Sequence, residues 1–590
     1  MTDTTPPLEN VSFRRSFRLL RAYIMPEWKR VLLLALLLFT GIGLQLWQPT
    51  ILRDFIDVAL AGGASGSLTR LAVIFLLAAV ANQFFNAAAT YLTQDIRWRT
   101  TNALRGDLAE HCLSLDMKFF NEHTPGELIA RVDEDVNTLS NFFSQFVIQV
   151  FGNGLLIVGV IVVLFLQEWR IGTGFAVFVL ITGLILRKVV ALAVPYFRQF
   201  FIMAAELFGF IEERLAGTED IRANGAVSYT MLMFHKTLRK QYVVEQKGFA
   251  MVMLTFTTTS GMFAIGTALG LGLGAYLFQA GIVTIGTVYL ITNYSAILQQ
   301  PLRMLTQQLQ DMQRAVAGAS RIQDLYYTQP TVHDPTIPLS LSDGALSVDF
   351  DDVFFYYHPD TPVLNGVSFS LPPNRVMGLL GRTGSGKTTI TRLIFRMYDV
   401  IEGEVRLGEV PLRDLRRTEM RQKIGMVTQD VQLFAATIRE NLTFFNDSIS
   451  DERILDAFHR LGLWEWYETL PNGLDTELPA GGGGMSAGEA QLLAFTRVFL
   501  QDPGLIILDE ASSRLDPATE ALIERAVGRL LEGRSAIIIA HRLATVQRAD
   551  DILILENGRV LEYGARTELR QNPESHFAAL LRTGLDEVLV

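Results

Sequence analysis

The sequence predicts an α-helical transmembrane domain of six spans with long cytoplasmic helical extensions, followed by an α/β domain. Three observations lead there. The front half holds six stretches of about 20 mostly apolar residues, enough to cross a ~30 Å hydrocarbon core. In the back half, short apolar strands alternate with helical patterns. The charge also changes sign along the chain: residues 1–330 carry roughly +3 and residues 331–590 roughly −13. A chain of 590 residues is too long for one hydrophobic core, and a hydrophobic fraction of 49% is high for a soluble protein.

Residues 1–30 form an N-terminal cytoplasmic or interfacial segment. Met1 to Pro26 is polar and basic, with Arg14, Arg15, Arg18 and Arg21, and lacks the apolar core of a secretory signal. Ser12–Tyr23 interleaves apolar residues with arginines, as an amphipathic helix at the inner membrane surface would. Arginines ahead of the first span place this end in the cytoplasm.

The membrane domain runs over 31–328, with spans at about 31–52, 71–92, 141–166, 171–194, 249–279 and 282–302. An even number of spans returns the chain to the cytoplasm. Leu68 to Lys118 contains no proline and one glycine, Gly106, so this helix is expected to continue well past the bilayer. It breaks at Thr124-Pro125-Gly126, and a similar tract after the fourth span breaks near Ala216-Gly217-Thr218. Two cytoplasmic elbows result, placed to touch a cytoplasmic domain.

Polar residues inside spans are costly and face a cavity or another helix. The candidates are Gln45, Gln48, Arg53, Asp54, Asn82, Gln83, Asn86, Gln145, Gln149, Asn153, Asn293, Gln299 and Arg303, with Phe84, Phe85, Phe142, Phe143 and Phe146 among them. Such a lining would suit an amphipathic cargo, and helix–helix hydrogen bonds explain the amides equally well. The one cysteine, Cys112, excludes a disulfide framework and any multi-cysteine metal site. The acidic balance excludes nucleic acid as the main partner, because phosphate backbones call for a basic stripe.

A linker at 329–343, with Pro330, Pro335 and Pro338, leads to the soluble domain at 344–590. There Val376–Leu380 reads as an apolar strand. It is followed by Gly381-Arg382-Thr383-Gly384-Ser385-Gly386-Lys387-Thr388 and a helix from Thr389. Strand, glycine-rich octet and helix in this order make a P-loop, whose backbone N–H groups close around phosphate oxygens. The soluble part is therefore an α/β P-loop NTPase domain. Lys387 is expected to reach the β- and γ-phosphates, and Thr388 to ligate Mg²⁺.

A second strand, Leu505–Leu508, ends in Asp509 and Glu510. Asp509 is suited to hold Mg²⁺ through water, and Glu510 to orient and deprotonate the attacking water. A third strand, Ala536–Ala540, delivers His541 to the same sheet edge, within reach of a γ-phosphate. ATP and Mg²⁺ are the cofactors these residues call for.

These pieces, in this order, resemble the ATP-binding cassette (ABC) superfamily, and within it the exporters with fused membrane and ATPase domains. The resemblance rests further on Val427-Thr428-Gln429 and Leu433 to Leu442, similar to the glutamine loop and its exporter-type continuation. It also rests on Ser513-Arg514-Leu515-Asp516, similar to the D-loop, and on Phe119-Phe120 through Asp135, similar to a first coupling region. It implies that Gln429 senses Mg²⁺ and the γ-phosphate, that His541 is the switch histidine, and that Tyr357 in Val353–Tyr357 stacks on adenine. Gly381, Gly384, Ser385, Gly386, Lys387, Thr388 and Thr389 would bind the phosphates. Thr388, Gln429 and Asp509 would face the metal. Two ATPase domains would sandwich two ATPs, each site pairing one P-loop with the other domain's signature loop.

The chain departs from that family at the signature loop. The family's Leu-Ser-Gly-Gly-Gln is Met485-Ser486-Ala487-Gly488-Glu489 here. Ser486 and Gly488 keep the hydroxyl and the close-approach backbone that bind the facing nucleotide. Ala487 adds a methyl and Glu489 a negative charge near a polyanion. Basic residues usual after the motif are Ala490 and Leu492, and a glutamate usual before it is Ala480. An intact P-loop side beside an altered signature predicts a heterodimer. Its second, non-identical half-transporter would bring a consensus signature and a replaced catalytic glutamate.

The chain is then expected in a bacterial plasma membrane with its ATPase domain in the cytoplasm, among lipids, moving a small amphipathic substrate. The alternatives are a homodimeric exporter that tolerates the variant loop and a non-transporting, ATP-gated membrane regulator. An importer is disfavoured by the fused domains, and a soluble NTPase is excluded by the spans.

Overall fold

Apolar runs this long leave the backbone one way to satisfy its own hydrogen bonds in lipid, which is to coil into helices. The computed structural model describes residues 21–145, 150–479, 484–509, 517–539 and 546–583. The chain divides into two units: one of residues up to Leu113 with Pro125–Thr328, the other of Ser114–Thr124 with Gln329 onward.

The first unit is built from long helices: α1 (Trp28–Leu60), α2 (Ser65–Ser114), α4 (Val136–Gln145), α5 (Asn153–Gln167), α6 (Trp169–Ala216), α7 (Val227–Gln279) and α8 (Ile285–Tyr327). A short helix between α2 and α4, α3 (Met117–Glu122), groups with the second unit. At 1.5 Å per residue, the 50 residues of α2 span about 75 Å, far beyond a ~30 Å core. Five segments of the described residues are long and apolar enough to cross a membrane: Arg21–Leu60, Ser65–Ser114, Val150–Gln167, Trp169–Ala216 and Val227–Gln279. The sixth expected span opens α8. It is more polar, carrying Thr287, Thr292, Asn293, Ser295, Gln299 and Gln300. Large apolar side chains such as Leu36, Phe39, Leu76, Leu77 and Leu166 lie exposed on these helices, as a lipid-facing surface requires.

Where helices of this unit meet, small residues permit the approach. A Cβ added at Gly266 of α7 would come 2.3 Å from the Phe178 ring of α6, so glycine there gives that ring its room. Asp57 of α1 accepts from Gly286 N at 2.9 Å and from Thr284 Oγ1 at 2.7 Å, which caps the start of α8 from a neighbouring helix. Several polar candidates bond within the unit. Gln48 Nε2 donates to Ala78 O at 3.2 Å, Arg53 reaches Asp54 and Gln167, and Asn86 Nδ2 donates to Asn82 Oδ1 at 3.3 Å. The side chains of Phe142, Phe143, Gln145, Phe146, Gln149 and Arg303 lie outside the described residues, as does most of the basic N-terminal segment.

The second unit has two main sheets, besides a short antiparallel pair of β7 (Ala436–Thr437) and β8 (Glu477–Leu478). The antiparallel one is ordered β2-β1-β4-β5, from β1 (Val348–His358), β2 (Thr361–Leu371), β4 (Glu402–Leu407) and β5 (Val410–Pro411). The other is ordered β12-β11-β3-β10-β9-β6, from β3 (Val376–Gly381), β6 (Ile424–Val427), β9 (Leu505–Asp509), β10 (Ser535–Ile539), β11 (Asp551–Glu556) and β12 (Arg559–Ala565). β6, β9, β10, β3 and β11 are parallel, and β12 closes the edge antiparallel. The parallel strands are buried on both faces, which explains their unbroken apolar runs. α9 (Lys387–Ile394) follows β3, and α10 (Ala487–Gln501) precedes β9.

The linker is fastened to this unit. The buried Arg396 guanidinium donates to His333 O at 2.8 Å, Arg417 pairs with Asp334 at 3.0 Å, and Leu339 N donates to Asp414 O at 2.8 Å.

Candidate nucleotide-binding site

In a parallel sheet, ligands gather beyond the carboxyl ends of the strands. The order β3-β10-β9-β6 therefore sets the P-loop, the end of β10, Asp509 and Gln429 in a row along one edge. Register agrees: Ile539 pairs with both Leu379 and Asp509, and Val427 pairs with Leu508.

The P-loop leaves β3 in a conformation that needs glycine. Gly381, Gly384 and Gly386 have φ of 149°, 83° and 108°. A Cβ at Gly381 would come 2.4 Å from Leu555 O and 2.6 Å from Ser385 Oγ. Gly386 is the N-cap of α9, so the free N–H groups of that helix open toward the loop. Ser385 Oγ is buried and has no hydrogen-bond partner among the described residues. A buried hydroxyl of that kind is satisfied by an incoming acceptor or donor, and a phosphate oxygen fits. Lys387 is buried, and its Nζ donates to Gly381 O at 2.5 Å and Arg382 O at 3.0 Å, drawing the ammonium over the loop. Burial pushes the Lys387 ammonium below its ordinary value, and the Asp509 carboxylate opposes that shift. Thr388 is exposed at the start of α9, and Thr389 is buried.

Tyr357, one residue before the end of β1, lies close to this helix. Its hydroxyl shares a hydrogen bond of 3.2 Å with Thr389 Oγ1 and accepts one of 3.1 Å from Arg392. The Arg392 guanidinium lies 5.8 Å from the Tyr357 ring centre.

Gln429 is exposed two residues past β6, and the loop that carries it is tied to α10. Arg497 of α10 donates to Gln432 O at 3.1 Å, to Asn441 O at 2.6 Å and to Asn441 Oδ1 at 3.1 Å. Burial pulls this guanidinium down to about 10. Asn441, fully buried, in turn bonds Phe434 N and O. Sequence reasoning missed Arg497. Its signal was an arginine inside the otherwise apolar face of α10, which burial forces into a partnered role.

α10 begins in a capping box. Ser486 Oγ accepts from Glu489 N at 3.2 Å, and a Glu489 carboxylate oxygen accepts from Ser486 N at 2.7 Å. The other Glu489 oxygen accepts from Trp466 Nε1 at 3.3 Å. The sequence suggested an acid whose charge simply opposes phosphate. In the structure that charge is folded back onto its own helix N-terminus, where it is stabilising. The Ser-x-x-Glu spacing carried the signal. Gly488 is buried in the first turn, and Ala487 is exposed.

Glu510, the D-loop residues 513–516 and His541 lie outside the described residues; the strands that lead to them, β9 and β10, are described. Among the described residues no cluster of three His, Cys, Asp or Glu could cage a metal. The donors expected for Mg²⁺, Thr388, Gln429 and Asp509, suit an ion that keeps waters and takes substrate phosphates as ligands.

Comparison with known proteins agrees with this architecture. Residues 31–302 match the ABC transporter transmembrane region, and residues 364–513 match the ABC transporter family. The uncharacterized ABC transporter ATP-binding protein YknV of Bacillus subtilis (strain 168) is 31% identical over 95% of this chain and 92% of its own length. The ATP-dependent lipid A-core flippase of Chromohalobacter salexigens is 28% identical over 95% of this chain and 97% of its own. A solved structure of a bacterial Atm1-family ABC exporter with ATP bound shares the fold at a TM-score of 0.79, with 24% identity over 94% of this chain and 98% of that one. The chain belongs to the ABC transporter family: an ATPase coupled to transport, fused to its transmembrane region in one half-transporter with the exporter fold.

Proposed function

We propose that this chain is one subunit of a heterodimeric ABC exporter that moves an amphipathic or hydrophobic substrate out across the plasma membrane, with one active and one degenerate ATP site. One observation carries the reading: a complete P-loop side stands in the same domain as the altered signature Met485-Ser486-Ala487-Gly488-Glu489. The lipid A-core flippase among the relatives supports a lipid-like cargo.

In this reading Tyr357 takes the adenine, and Gly381, Gly384, Ser385, Gly386, Lys387, Thr388 and Thr389 take the phosphates. Lys387 leaves the loop carbonyls for the β- and γ-phosphates, exchanging neutral acceptors for anionic ones, which strengthens its bonds. Glu510 accepts the proton of the attacking water, while Gln429 and His541 hold the γ-phosphate side of the site. Thr388, Gln429 and Asp509 would hold Mg²⁺, which would supply neutralisation of the phosphate charge. The partner's consensus signature closes this site. Ser486 and Gly488 of this chain close the other, where Ala487 and the charge of Glu489 weaken the grip on the γ-phosphate. The ATPase domain lies on the cytoplasmic side.

Intact masses of the complex, purified from its native host through a tag on this chain, test the assembly. Two different masses of similar size are expected. A dimer with a single mass would make it a homodimeric exporter with a variant signature loop, and the asymmetric mechanism would fall.

A further inference from the structure

The segment Ser114–Thr124 is joined at both ends to the membrane helices, yet it groups with the ATPase unit. It is fastened there. Asp116 caps α3 by accepting from Phe119 N at 3.4 Å, and its other oxygen accepts from the linker residue Thr331, from Oγ1 at 2.6 Å and from the backbone N–H. Burial acts to raise the Asp116 carboxyl, but these Thr331 and backbone bonds outweigh it and hold the group below its ordinary value. His123 stacks on Phe119 at 4.3 Å, which fixes the end of the short helix.

From this anchored helix one side chain reaches the domain's aromatic cluster. Asn121 Nδ2 donates to the Tyr398 hydroxyl at 2.6 Å. The Tyr398 ring meets Tyr357 edge to face, centres 5.2 Å apart, and meets Phe355 at 5.6 Å. Burial, then the neighbouring Tyr357, raises the Tyr398 phenol, so it stays a neutral hydroxyl. Tyr357 is in turn bonded to Thr389 at the start of the P-loop helix. A cavity of about 420 Å³ is lined by Lys118, Asn121 and Glu122 of α3 together with Tyr357 and Tyr398. An aromatic ring held on one edge by a second ring and at its hydroxyl by the P-loop helix keeps little rotamer freedom.

We propose that Asn121 and Tyr398 are positioning residues for Tyr357: through one hydrogen bond and one edge-to-face contact they hold it to receive the purine base. This rests on Tyr357 being the base platform. The consequence is a coupling. Whatever holds Asn121 in place favours the base-ready tyrosine, and by reciprocity base binding favours the docked 117–122 segment. The membrane helices that continue from this segment then bias nucleotide affinity through a route separate from Gln429.

The test is ATPase kinetics of the assembled full-length complex with Asn121→Ala, Tyr398→Phe, the pair together, and Tyr357→Ala. Tyr398→Phe keeps the ring and removes only the oxygen that Asn121 bonds. Each single change at 121 or 398 is expected to raise KM for ATP about three- to tenfold, with kcat at saturating ATP within about twofold. The pair together should be no worse than either alone, because both break one contact. With Tyr357→Ala as background, Asn121→Ala should have no further effect. Additive changes, or losses in kcat with KM unmoved, would overturn the relay and leave the two side chains a packing role. If Tyr357→Ala raises KM while Asn121→Ala and Tyr398→Phe do not, the platform stands and the relay falls. If Tyr357→Ala leaves KM unchanged, both fall together.

Discussion

Lys387 shows how one residue carries both the chemistry and a pH signature. Its ammonium is buried, bonded to two neutral carbonyls and pulled below its ordinary value by desolvation. A bound triphosphate places negative charge beside it and must raise that value. Nucleotide binding therefore takes up protons once the pH exceeds the free-state value of Lys387, and affinity falls as the pH climbs from there toward the bound-state value. Titration calorimetry with a non-hydrolysable ATP analogue, in buffers of different ionisation heat, is expected to show proton uptake that grows as the pH rises. Affinity is expected to weaken over the same range. Lys387→Ala should bind weakly at every pH with no uptake, and uptake persisting in that variant would assign the proton elsewhere. Residues of this kind were legible in the sequence, because glycine-rich backbone, lysine and hydroxyl follow one another within eight positions. Tyr398 and Asn121 were not legible. They lie 277 positions apart and meet only once the chain has folded.

At the scale of the element, the start of α10 sets two readings of Glu489 against each other. The sequence compared it with the glutamine of related loops and saw a charge that phosphate would repel. The structure gives it a local task as the reciprocal half of a capping box and the acceptor of the Trp466 indole. Glutamine at that third helical position keeps an acceptor for Ser486 N, whereas alanine leaves it and the indole unpaired. Glu489→Ala is therefore expected to destabilise the domain by about 1 kcal/mol, read as a lower unfolding midpoint, and Glu489→Gln to change it by only a few tenths. ATPase activity separates the assemblies. In a heterodimer the Gln variant should hydrolyse at close to the parent rate, since its loop serves the degenerate site. A severalfold rise would instead mean that this loop closes an active site. The membrane helices were legible from length and apolarity alone, yet α8 was harder, because its polar side chains blur the edge of the sixth span. The capping of α8 by Asp57 of α1 was hidden altogether, since no local pattern records which carboxylate approaches which helix end.

For the whole molecule, the sign change of charge along the chain and the separation into two units reflect one division of labour. Lipid-facing helices carry few ionised groups, and the nucleotide domain carries an acidic surface around a locally basic loop. That division was legible from composition. The grouping of Ser114–Thr124 with the ATPase unit was visible only as a proline–glycine break, because docking depends on partners far away in sequence. The asymmetric assembly makes its strongest claim through Glu510. This residue follows directly on Asp509, whose strand ends beside the P-loop strand's neighbour. Glu510→Gln keeps size and hydrogen bonding while removing the basicity that accepts the proton from water. In a heterodimer with one working site, that single change per complex is expected to abolish turnover while ATP binding persists, because every binding group remains. Turnover is read as phosphate release and binding as retention of labelled ATP. If about half of the turnover survives in a complex of two different chains, the partner's site also hydrolyses, and its signature-deficient side is not degenerate. If turnover stays near the parent rate, Glu510 is not the general base. Loss of both turnover and binding would place Glu510 in the architecture of the site instead of its chemistry.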